Sequence, residues 1–401
     1  MTVASCPKCV VVTGSNLYSA LQLTFAVMNI AINTRALNGN EAAAMLLKKK
    51  FEQLASLHTE HHFIFITANE QYVENEALKN IQTILLKQAS NIPLLWKYWY
   101  NFKLVALLKK IKADVVVHAD IACSLRTKLP QWISVNDFAF LDFPQVYPKK
   151  YNRFLHVNAG SFFNKASNIF ITSVYLQEQI IQRYPVAEKK VTILYPAADE
   201  TYQLLDWKKR EEVKAIYAAG KEYFLYSGII HAQSNLTNLL KAFSLFKKWQ
   251  KSNMQLILAI DTATDATTFF NSLQTYKHKA DVLLLKDTME EELRSITAAA
   301  YAFVAPALFN DNPAILLNAL QCGVPVIAGN TLPVTEIFGD AVLYADCNNV
   351  KELADKMMLL FKDEDMRRAF INRGLQQVKQ YNWDANINEL WKNILATNQP
   401  V

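Results

Sequence analysis

The chain contains few glycines, 9 among 401 residues, where globular proteins average about 7% glycine. Glycine lets the backbone approach a bound ligand closely, so this shortage is consistent with reduced ligand-cradling loops. The five cysteines form an odd set in a chain large enough to fold without disulfides, which favours reduced thiols. Cys6 and Cys9 have the spacing of half a zinc site, but no second pair stands at a matching distance. We therefore expect no bound metal.

Long apolar runs and strong charge are also missing. No stretch reaches about 18 uninterrupted apolar residues, so no membrane-spanning helix is predicted. Residues 10–27 are partly apolar but contain polar residues and lack a basic leader, so they resemble neither a signal peptide nor an anchor. The net charge is +6 without a block of five basic residues, which does not indicate nucleic-acid binding. We expect a cytoplasmic protein and leave open a peripheral contact with the inner face of a membrane.

What is present predicts two folded domains. The chain is 51% hydrophobic and 19% charged, and its 401 residues exceed what one hydrophobic core usually supports. Short apolar strands alternate with amphipathic helices in both halves, which is typical of parallel sheets covered on both faces. The strands begin near Asn29, His62, Asp114, Gln131, Asn168 and Lys190, and again near Tyr223, Met254, Val282, Ala302 and Pro325. The fold class is therefore α/β, with a polar linker expected near residues 196–220.

A segment that mixes aromatic residues with lysines has two interpretations. Leu94 to Ile111 is predicted to form one helix, which includes two tryptophans and several lysines. One interpretation is a buried aromatic face with a solvated lysine face. The other is a face that lies on an anionic membrane surface.

Several blocks of sequence resemble glycosyltransferase family 4, also called glycosyl transferases group 1. The likeness runs from about Met28 to Ile394. Its N-terminal blocks look like the opening of bacterial mannosyltransferase-like members. It is carried by Ile30 to Arg35, Tyr223 to Gly228 with Asn235-Leu236, Cys322 to Ala328, Glu336 to Ala341, and Tyr381-Asn382-Trp383. The resemblance implies the GT-B fold, in which two doubly wound Rossmann-like domains face a cleft.

The resemblance also implies a division of the chain. Residues 1–27 would be an N-terminal extension, and residues 28–200 the acceptor-side Rossmann-like domain. Residues 215–380 would form the nucleotide-sugar-binding domain. Residues 381–401 would form a helix that crosses back to the first domain.

The first implied site holds the donor diphosphate. Family members stabilise the leaving group without a metal, through an Arg and a Lys after a glycine turn and through a helix N-terminus. Here the turn begins at Gly228, Gln233 and Ser234 stand at the two cationic positions, and Asn235 precedes the helix. Neutral donors bind phosphate more weakly than charged ones. The alternative is that Gln233 and Ser234 only cap the following helix.

The second implied site is a pair of glutamates separated by seven residues, one facing the donor sugar and one the nucleotide ribose. Asn310 and Asn318 stand at these positions. An amide keeps the shape of a carboxylate but accepts no proton. Asp311 is the nearest carboxylate, so Asn310 and Asp311 are the candidate catalytic residues of this segment. Pro313 and Ala314 belong to the same donor-binding stretch.

The third implied site lies in the first domain. Family members have a His-Asp pair after a strand, and here Asn136 replaces the histidine while Asp137 remains, so both are candidate catalytic residues. The glycine-rich loop after the first strand retains only Gly39. Ser173 stands where the family has a Ser-Glu-Phe-Ser stretch and is assigned to donor binding.

Three functions are compatible with this pattern. The first is a retaining transferase that moves a hexose, with mannose suggested, from a nucleotide sugar to a glycan or lipid-linked acceptor in cell-surface polysaccharide synthesis. The second is a degenerate member that acts as a binding or scaffolding partner. A phosphorylase or epimerase is less favoured because it also needs the charged donor site. A cation such as Lys221, Lys241 or Lys286 at the diphosphate would restore catalysis. No resident cofactor is expected.

Overall fold

The computed structural model describes residues 27–35, 41–68, 78–87, 92–144, 147–186, 188–230, 234–261, 267–308 and 313–397. The first half forms a parallel sheet of strands β1 Asn29–Asn33, β2 His62–Thr67, β3 Ile81–Leu85, β4 Val115–His118, β5 Gln131–Val135, β6 Asn168–Ile171 and β7 Val191–Ile193. Their order across the sheet is β3-β2-β1-β4-β5-β6-β7.

The second half repeats this design. Its strands are β8 Tyr223–Ile229, β9 Gln255–Asp261, β10 Val282–Lys286, β11 Ala302–Ala305, β12 Val326–Gly329 and β13 Leu343–Ala345, in the order β10-β9-β8-β11-β12-β13. The strand order reverses between β1 and β4 in the first sheet and between β8 and β11 in the second. Ligands of open parallel sheets bind beyond the carboxyl ends of the strands at such reversals.

Helices cover both sheets. They are α1 Glu41–Leu57, α2 Pro93–Tyr98, α3 Leu104–Lys110, α4 Ala139–Asp142, α5 Lys149–Lys165, α6 Val174–Arg183, α7 Trp207–Ala218, α8 Leu236–Gln250, α9 Thr267–Gln274, α10 Glu290–Ala299, α11 Pro313–Gln321, α12 Leu332–Phe338, α13 Val350–Lys362, α14 Glu364–Val378 and α15 Trp383–Thr397. The predicted α/β class with two doubly wound, Rossmann-like sheets is confirmed.

The central strands are apolar because both faces of each sheet are covered. In β1, Ile30 and Ile32 belong to one apolar cluster and Ala31 to another, as expected when successive side chains point to opposite faces. All three are fully buried. Each sheet thus rests between two cores.

The last helix joins the core of the first sheet. Ile387, Leu390 and Ile394 of α15 are buried in the cluster that contains Ile30 and Ile32. Trp391 stacks on the ring of His58 with a centroid separation of 3.8 Å. Helix α15 therefore follows the second domain in the chain but packs against the first.

The polar stretch expected as a linker contains a helix. The Asp206 side chain accepts a hydrogen bond from the Lys209 N–H and caps α7. Lys214 is buried and pairs with Glu211 at 2.8 Å, and Ala218 lies in the core of the second sheet. Residues 207–218 are therefore a helix that packs on the second sheet, and the linker interpretation is wrong for them. The helix lacks the usual apolar stripe because a cap, ion pairs and a short apolar contact stabilise it.

The aromatic and lysine-rich helix is also interrupted. The structure divides it into α2, a π-helical turn over Trp99–Lys103, and α3. Trp99 and Tyr100 in that turn are fully buried. π-helical turns widen a helix locally and often mark functional sites.

Candidate functional site

The carboxyl end of β8 requires glycine at one position. Gly228 has a φ of +149°, and a Cβ placed there would lie 3.0 Å from the Tyr226 hydroxyl oxygen. That hydroxyl donates to the Ile229 carbonyl at 3.0 Å. The backbone therefore favours glycine at this position, at the carboxyl end of the strand where a donor phosphate is expected.

Ser234 and Asn235 hold this turn to its neighbours. The buried Ser234 hydroxyl donates to the Ile229 carbonyl at 2.6 Å. Asn235 precedes α8 in a left-handed conformation, and its Nδ2 donates to the Pro306 carbonyl at 3.1 Å and to the Cys347 carbonyl at 2.6 Å. These bonds join the loops after β8, β11 and β13 around the N-terminus of α8.

Four predicted residues lie outside the part of the chain that the structure describes. They are Gly39, Gln233, Asn310 and Asp311. In the sequence, Gln233 stands between β8 and α8, and Asn310 and Asp311 stand between β11 and α11. Both loops follow the strands that flank the reversal in the second sheet.

The helix α11 brings the other predicted donor residues to the segment that connects the sheets. Pro313 is buried at its start and Ala314 is half-buried. The Asn318 Oδ1 accepts a hydrogen bond from the Asp199 N–H at 2.8 Å. Gln321, one turn later, donates to the Asp199 carbonyl at 2.9 Å. The Asn318 amide oxygen is therefore used for a contact within the protein.

Ser173 precedes α6, and the N-terminus of this helix also binds a glutamate from the other half of the chain. Its hydroxyl accepts from the Leu176 N–H and caps α6. The Glu336 carboxylate accepts from the Val174 N–H at 2.7 Å and from the Tyr175 N–H at 3.0 Å. A carboxylate at a helix N-terminus is favourable. This contact ties α12 to α6, and so the second sheet to the first.

In the first sheet, Asp137 makes contacts within its own loop. One carboxylate oxygen accepts from the Ala139 N–H at 2.7 Å, and the other accepts from the Tyr147 hydroxyl at 2.8 Å. Asn136 is half-buried directly after β5. Both lie one strand away from the reversal between β1 and β4, so they stand beside that crevice.

A histidine at this reversal is part of the core. His118 ends β4, and its Nδ1 accepts from the Asn33 amide at 3.1 Å while its Nε2 donates to the Gln131 amide oxygen at 3.3 Å. Complete burial lowers the pKa of His118 to about 4. The ring is therefore neutral near pH 7 and links β1, β4 and β5.

Two charged residues at this reversal were not predicted from the sequence. Arg35 follows β1, is 4% exposed, and places its guanidinium carbon 4.5 Å from the centre of the Trp99 ring. Asp120 follows β4, is 7% exposed, and accepts from the Ile121 N–H at 2.6 Å and from the Tyr151 hydroxyl at 3.3 Å. Their positions just past two adjacent central strands are the signal that could have revealed them.

The lysines considered as replacements lie at different places. Lys221 precedes β8 and so stands at the amino end of the sheet, while Lys241 is exposed on α8. Lys286 is paired in register with Ile260, which pairs with Gly228. Two strand spacings put its backbone about 10 Å from Gly228. The Lys286 ammonium lies 4.4 Å from the centre of the Phe270 ring.

Neither a metal cluster nor a membrane span is found in the ranges given above. Within them, no three His, Cys, Asp or Glu side chains are grouped to hold a metal ion. No helix among the same residues is long and apolar enough to cross a bilayer.

Family models match both halves of the chain. The model described as Glycosyltransferase Family 4 matches residues 45–202, and the one described as Glycosyl transferases group 1 matches residues 208–377. The chain belongs to this glycosyltransferase family. The two matched segments contain most of the first and second sheets, respectively.

Two relatives of this chain are named O-antigen chain mannosyltransferases. O-antigen chain mannosyltransferase B of Escherichia coli is 25% identical over 251 residues, which span 62% of this chain and 66% of that protein. O-antigen chain mannosyltransferase RfbU of Salmonella typhimurium is 22% identical over 321 residues, which span 79% of this chain and 83% of that protein. The chain thus spans just under two thirds of the first relative.

A solved structure shares the fold. HepE of Anabaena in complex with UDP-glucose has a TM-score of 0.72 at 12% identity, covering 92% of this chain and all of that one. At this identity the likeness concerns the fold, which is the GT-B arrangement of two Rossmann-like domains.

Proposed function

We propose that the protein is a retaining glycosyltransferase that moves a hexose, preferably mannose, from a nucleotide sugar to a glycan or lipid-linked acceptor in cell-surface polysaccharide synthesis. The observation that carries the proposal is the pair of strand-order reversals in a chain of this family. The O-antigen mannosyltransferases among its relatives support mannose, and the UDP-glucose bound by HepE supports a nucleotide-sugar donor.

The donor would bind at the second reversal. The N-terminus of α8 follows the carboxyl end of β8 and would offer backbone N–H groups to a diphosphate, since helix N-termini favour anions. Since the Ser234 hydroxyl already donates to the Ile229 carbonyl, it is a poor replacement for the cation that other family members place against the phosphate. Lys286 is the better candidate, because a rotation away from the Phe270 ring would turn its ammonium along the carboxyl edge of the sheet. No metal is part of this proposal.

Calorimetric titration with UDP, GDP, UDP-glucose and GDP-mannose tests the donor, followed by an assay of sugar release or transfer for any nucleotide sugar that binds. Binding of GDP-mannose with turnover supports the proposal. The variant Lys286→Gln should then lower turnover by roughly 10²-fold, the usual loss for one charge-stabilising donor. The control is Lys241→Gln, which changes an exposed lysine on α8 and should leave turnover unchanged.

A second candidate function is a binding or scaffolding role without catalysis. The observation that favours it is that the polar side chains at several predicted sites are used inside the protein. Asn318 binds the Asp199 N–H, Ser234 the Ile229 carbonyl, and Asp137 the Ala139 N–H. Absence of binding to all four nucleotides would exclude the transferase and leave this role.

We also propose that the protein is cytoplasmic and contacts the inner membrane face through α2, the π-helical turn and α5. Leu94, Tyr98 and Phe102 are 74%, 48% and 48% exposed on one side of this helix. Residues 92–112 contain five lysines and no acidic residue. On α5, which packs against α2, Val157 is 69% exposed, and Lys149, Lys150 and Arg153 are exposed as well. Exposed apolar side chains among basic ones suit anionic lipid.

Sedimentation with phosphatidylglycerol and with phosphatidylcholine vesicles tests this contact. The protein should sediment only with the anionic vesicles, and Leu94→Ser with Tyr98→Ser should reduce the bound fraction at least tenfold. Ile216→Ser is the control, because Ile216 is 73% exposed on α7 of the other domain. Equal sedimentation with both vesicles, or with neither, would contradict the proposal.

A further inference from the structure

Buried hydrogen-bond donors without partners gather at the reversal of the first sheet. Within the part of the chain that the structure describes, none of the three guanidinium nitrogens of Arg35 has a hydrogen-bond partner, and neither does the Trp99 Nε1. The Tyr100 hydroxyl lies near the Asn33 side chain but makes no close hydrogen bond. Arg35 is 4% exposed, and Trp99 and Tyr100 are each 1% exposed. The guanidinium carbon lies 4.5 Å from the Trp99 ring centre and 5.7 Å from the Tyr100 ring centre, so the donors belong to one cluster.

Such a cluster is unfavourable in a folded protein by itself. Buried polar groups are nearly always hydrogen-bonded, and a buried charge without a partner is among the most costly groups of all. Burial lowers the pKa of Arg35, although Tyr100 and Asp120 act in the opposite direction. The Asp120 Oδ1 accepts from the Ile121 N–H and the Tyr151 hydroxyl. The aromatic faces offer the cation partial compensation, but they accept none of its N–H groups.

All these unpaired groups can donate, which selects the ligand. A guanidinium presents a planar set of N–H donors that matches the oxygens of phosphate, and charge-assisted bonds of this kind are the strong ones. An indole N–H and a phenol add two neutral donors. The cluster also lies at the carboxyl ends of β1 and β4, where open sheets bind ligands.

We propose that Arg35, Trp99 and Tyr100 form a binding site for a phosphate group carried by the acceptor. Only the source of that phosphate rests on the proposed function, in which the first sheet forms the acceptor side of a transferase. It adds an ionic contact that is separate from the donor site on the second sheet. A phosphate there converts the buried, unpaired donors into a satisfied network.

Thermal unfolding of the full chain with increasing inorganic phosphate, at constant ionic strength, tests the site without any turnover. At a phosphate concentration 100 times its Kd, the folding equilibrium constant should rise about 100-fold. Arg35→Gln should abolish this rise. Arg126→Gln is the matched control, because Arg126 also stacks on a ring of the first domain, 4.5 Å from the Phe102 centre, but is exposed.

Tyr100→Phe keeps the packing and removes one donor, so it should weaken phosphate binding about tenfold. This variant keeps the test decisive if Arg35→Gln does not fold. A rise that is equal in the wild type and both variants, or no rise at all, overturns the site. A rise with glucuronate but not with phosphate overturns the assignment to phosphate.

Saturating UDP or GDP separates the two possible sources. If the phosphate effect persists on top of the nucleotide effect, the phosphate of the acceptor is supported. If the nucleotide removes the phosphate effect, the donor diphosphate occupies Arg35 and the acceptor assignment is wrong. Phosphate binding without any nucleotide binding would leave the site in place while the transferase proposal fails, so the two failures are distinguishable.

Discussion

The two strand-order reversals of this molecule use their polar side chains in different ways. At the second sheet, Ser234 and Asn235 donate to carbonyls of the surrounding loops. At the first sheet, the donors of Arg35, Trp99 and Tyr100 make no close hydrogen bond to any described residue. The folds are alike, with the same strand order around each reversal.

The two crevices therefore differ in how much a bound ligand can stabilise the folded protein. A crevice whose side chains are satisfied internally keeps its shape without a ligand and offers mainly backbone groups. A crevice with buried unpaired donors costs the folded state free energy, which a ligand can recover. We therefore expect binding at the second reversal to depend mainly on backbone N–H groups, and binding at the first reversal to depend on the side-chain donors of Arg35, Trp99 and Tyr100.

The largest expected effect concerns the first reversal and its buried histidine. The folded-state pKa of His118 is about 4, below its ordinary value of 6.5. The unfolded chain therefore binds more protons between these values, so His118 stabilises the fold fully above pH 6.5 and loses this contribution as the pH falls towards 4. Its size is roughly 3 kcal/mol.

Urea unfolding at a series of pH values measures this contribution. His118→Gln should flatten the dependence between pH 6.5 and 4, whereas His156→Gln, which changes an exposed histidine on α5, should leave it unchanged. An unaltered slope in His118→Gln would show that another group is responsible.

The next effect tests how rigid the second reversal is. A Cβ on Gly329 would lie 2.4 Å from the Ala307 carbonyl oxygen and 3.5 Å from the Cys347 sulfur. Gly329→Ala must therefore displace the loops that Asn235 joins, at a cost of about 2 to 3 kcal/mol. Calorimetric unfolding checks this value, and nucleotide binding should weaken in parallel.

Gly160→Ala is the control for this prediction. Gly160 lies in α5, and an added Cβ meets the Tyr184 ring at an ordinary 3.6 Å. This change should raise stability by about 0.5 to 1 kcal/mol, since alanine favours helices. A loss of stability equal to that of Gly329→Ala would refute the loop argument.

Removing the side chain that joins the loops is expected to have a smaller effect. Asn235→Ala deletes two hydrogen bonds and places alanine in a left-handed conformation, which should cost about 2 kcal/mol. Asn238→Ala deletes one bond, to the Cys347 carbonyl at 3.0 Å, and should cost about 1 kcal/mol. Equal losses in urea unfolding would mean that the contact with Pro306 contributes nothing.

The smallest effect concerns the contact between the two halves. Glu336→Gln removes the negative charge at the N-terminus of α6, with a loss of about 1 kcal/mol. Burial and the Glu336 carboxylate raise the pKa of Tyr195 to about 12, so the variant should lower that pKa in a spectrophotometric titration. An unchanged Tyr195 titration would contradict the contact.

How far the sequence predicts this fold depends on burial. Strand β2 is a continuous apolar run whose predicted start near His62 is confirmed, because both of its faces are covered. The edge strand β3 was missed, since its residues are half-exposed or exposed and include Gln82 and Thr83. The helix α7 was missed because its stability comes from a cap and ion pairs instead of an apolar stripe.

The candidate site was less predictable for a different reason. The sequence places Ser234, Asn235 and Asn318 in the correct loops and helix, but it does not contain the partners of their side chains. The Asp199 N–H that binds Asn318 is 119 residues away in the chain. Arg35 likewise becomes notable only when its burial and unpaired nitrogens are known.

The return of α15 to the first sheet sets an order of events during synthesis. Ile387, Leu390 and Ile394 fill the same core as Ile30 and Phe51, which leave the ribosome more than three hundred residues earlier. All six strands of the second sheet stand in the chain between the first sheet and α15. The second domain can therefore fold while the core of the first still lacks α15. Domains usually fold in the order of their synthesis. Of the two domains, the one that emerges earlier is therefore completed later, and one wall of its core stays open until α15 has been made.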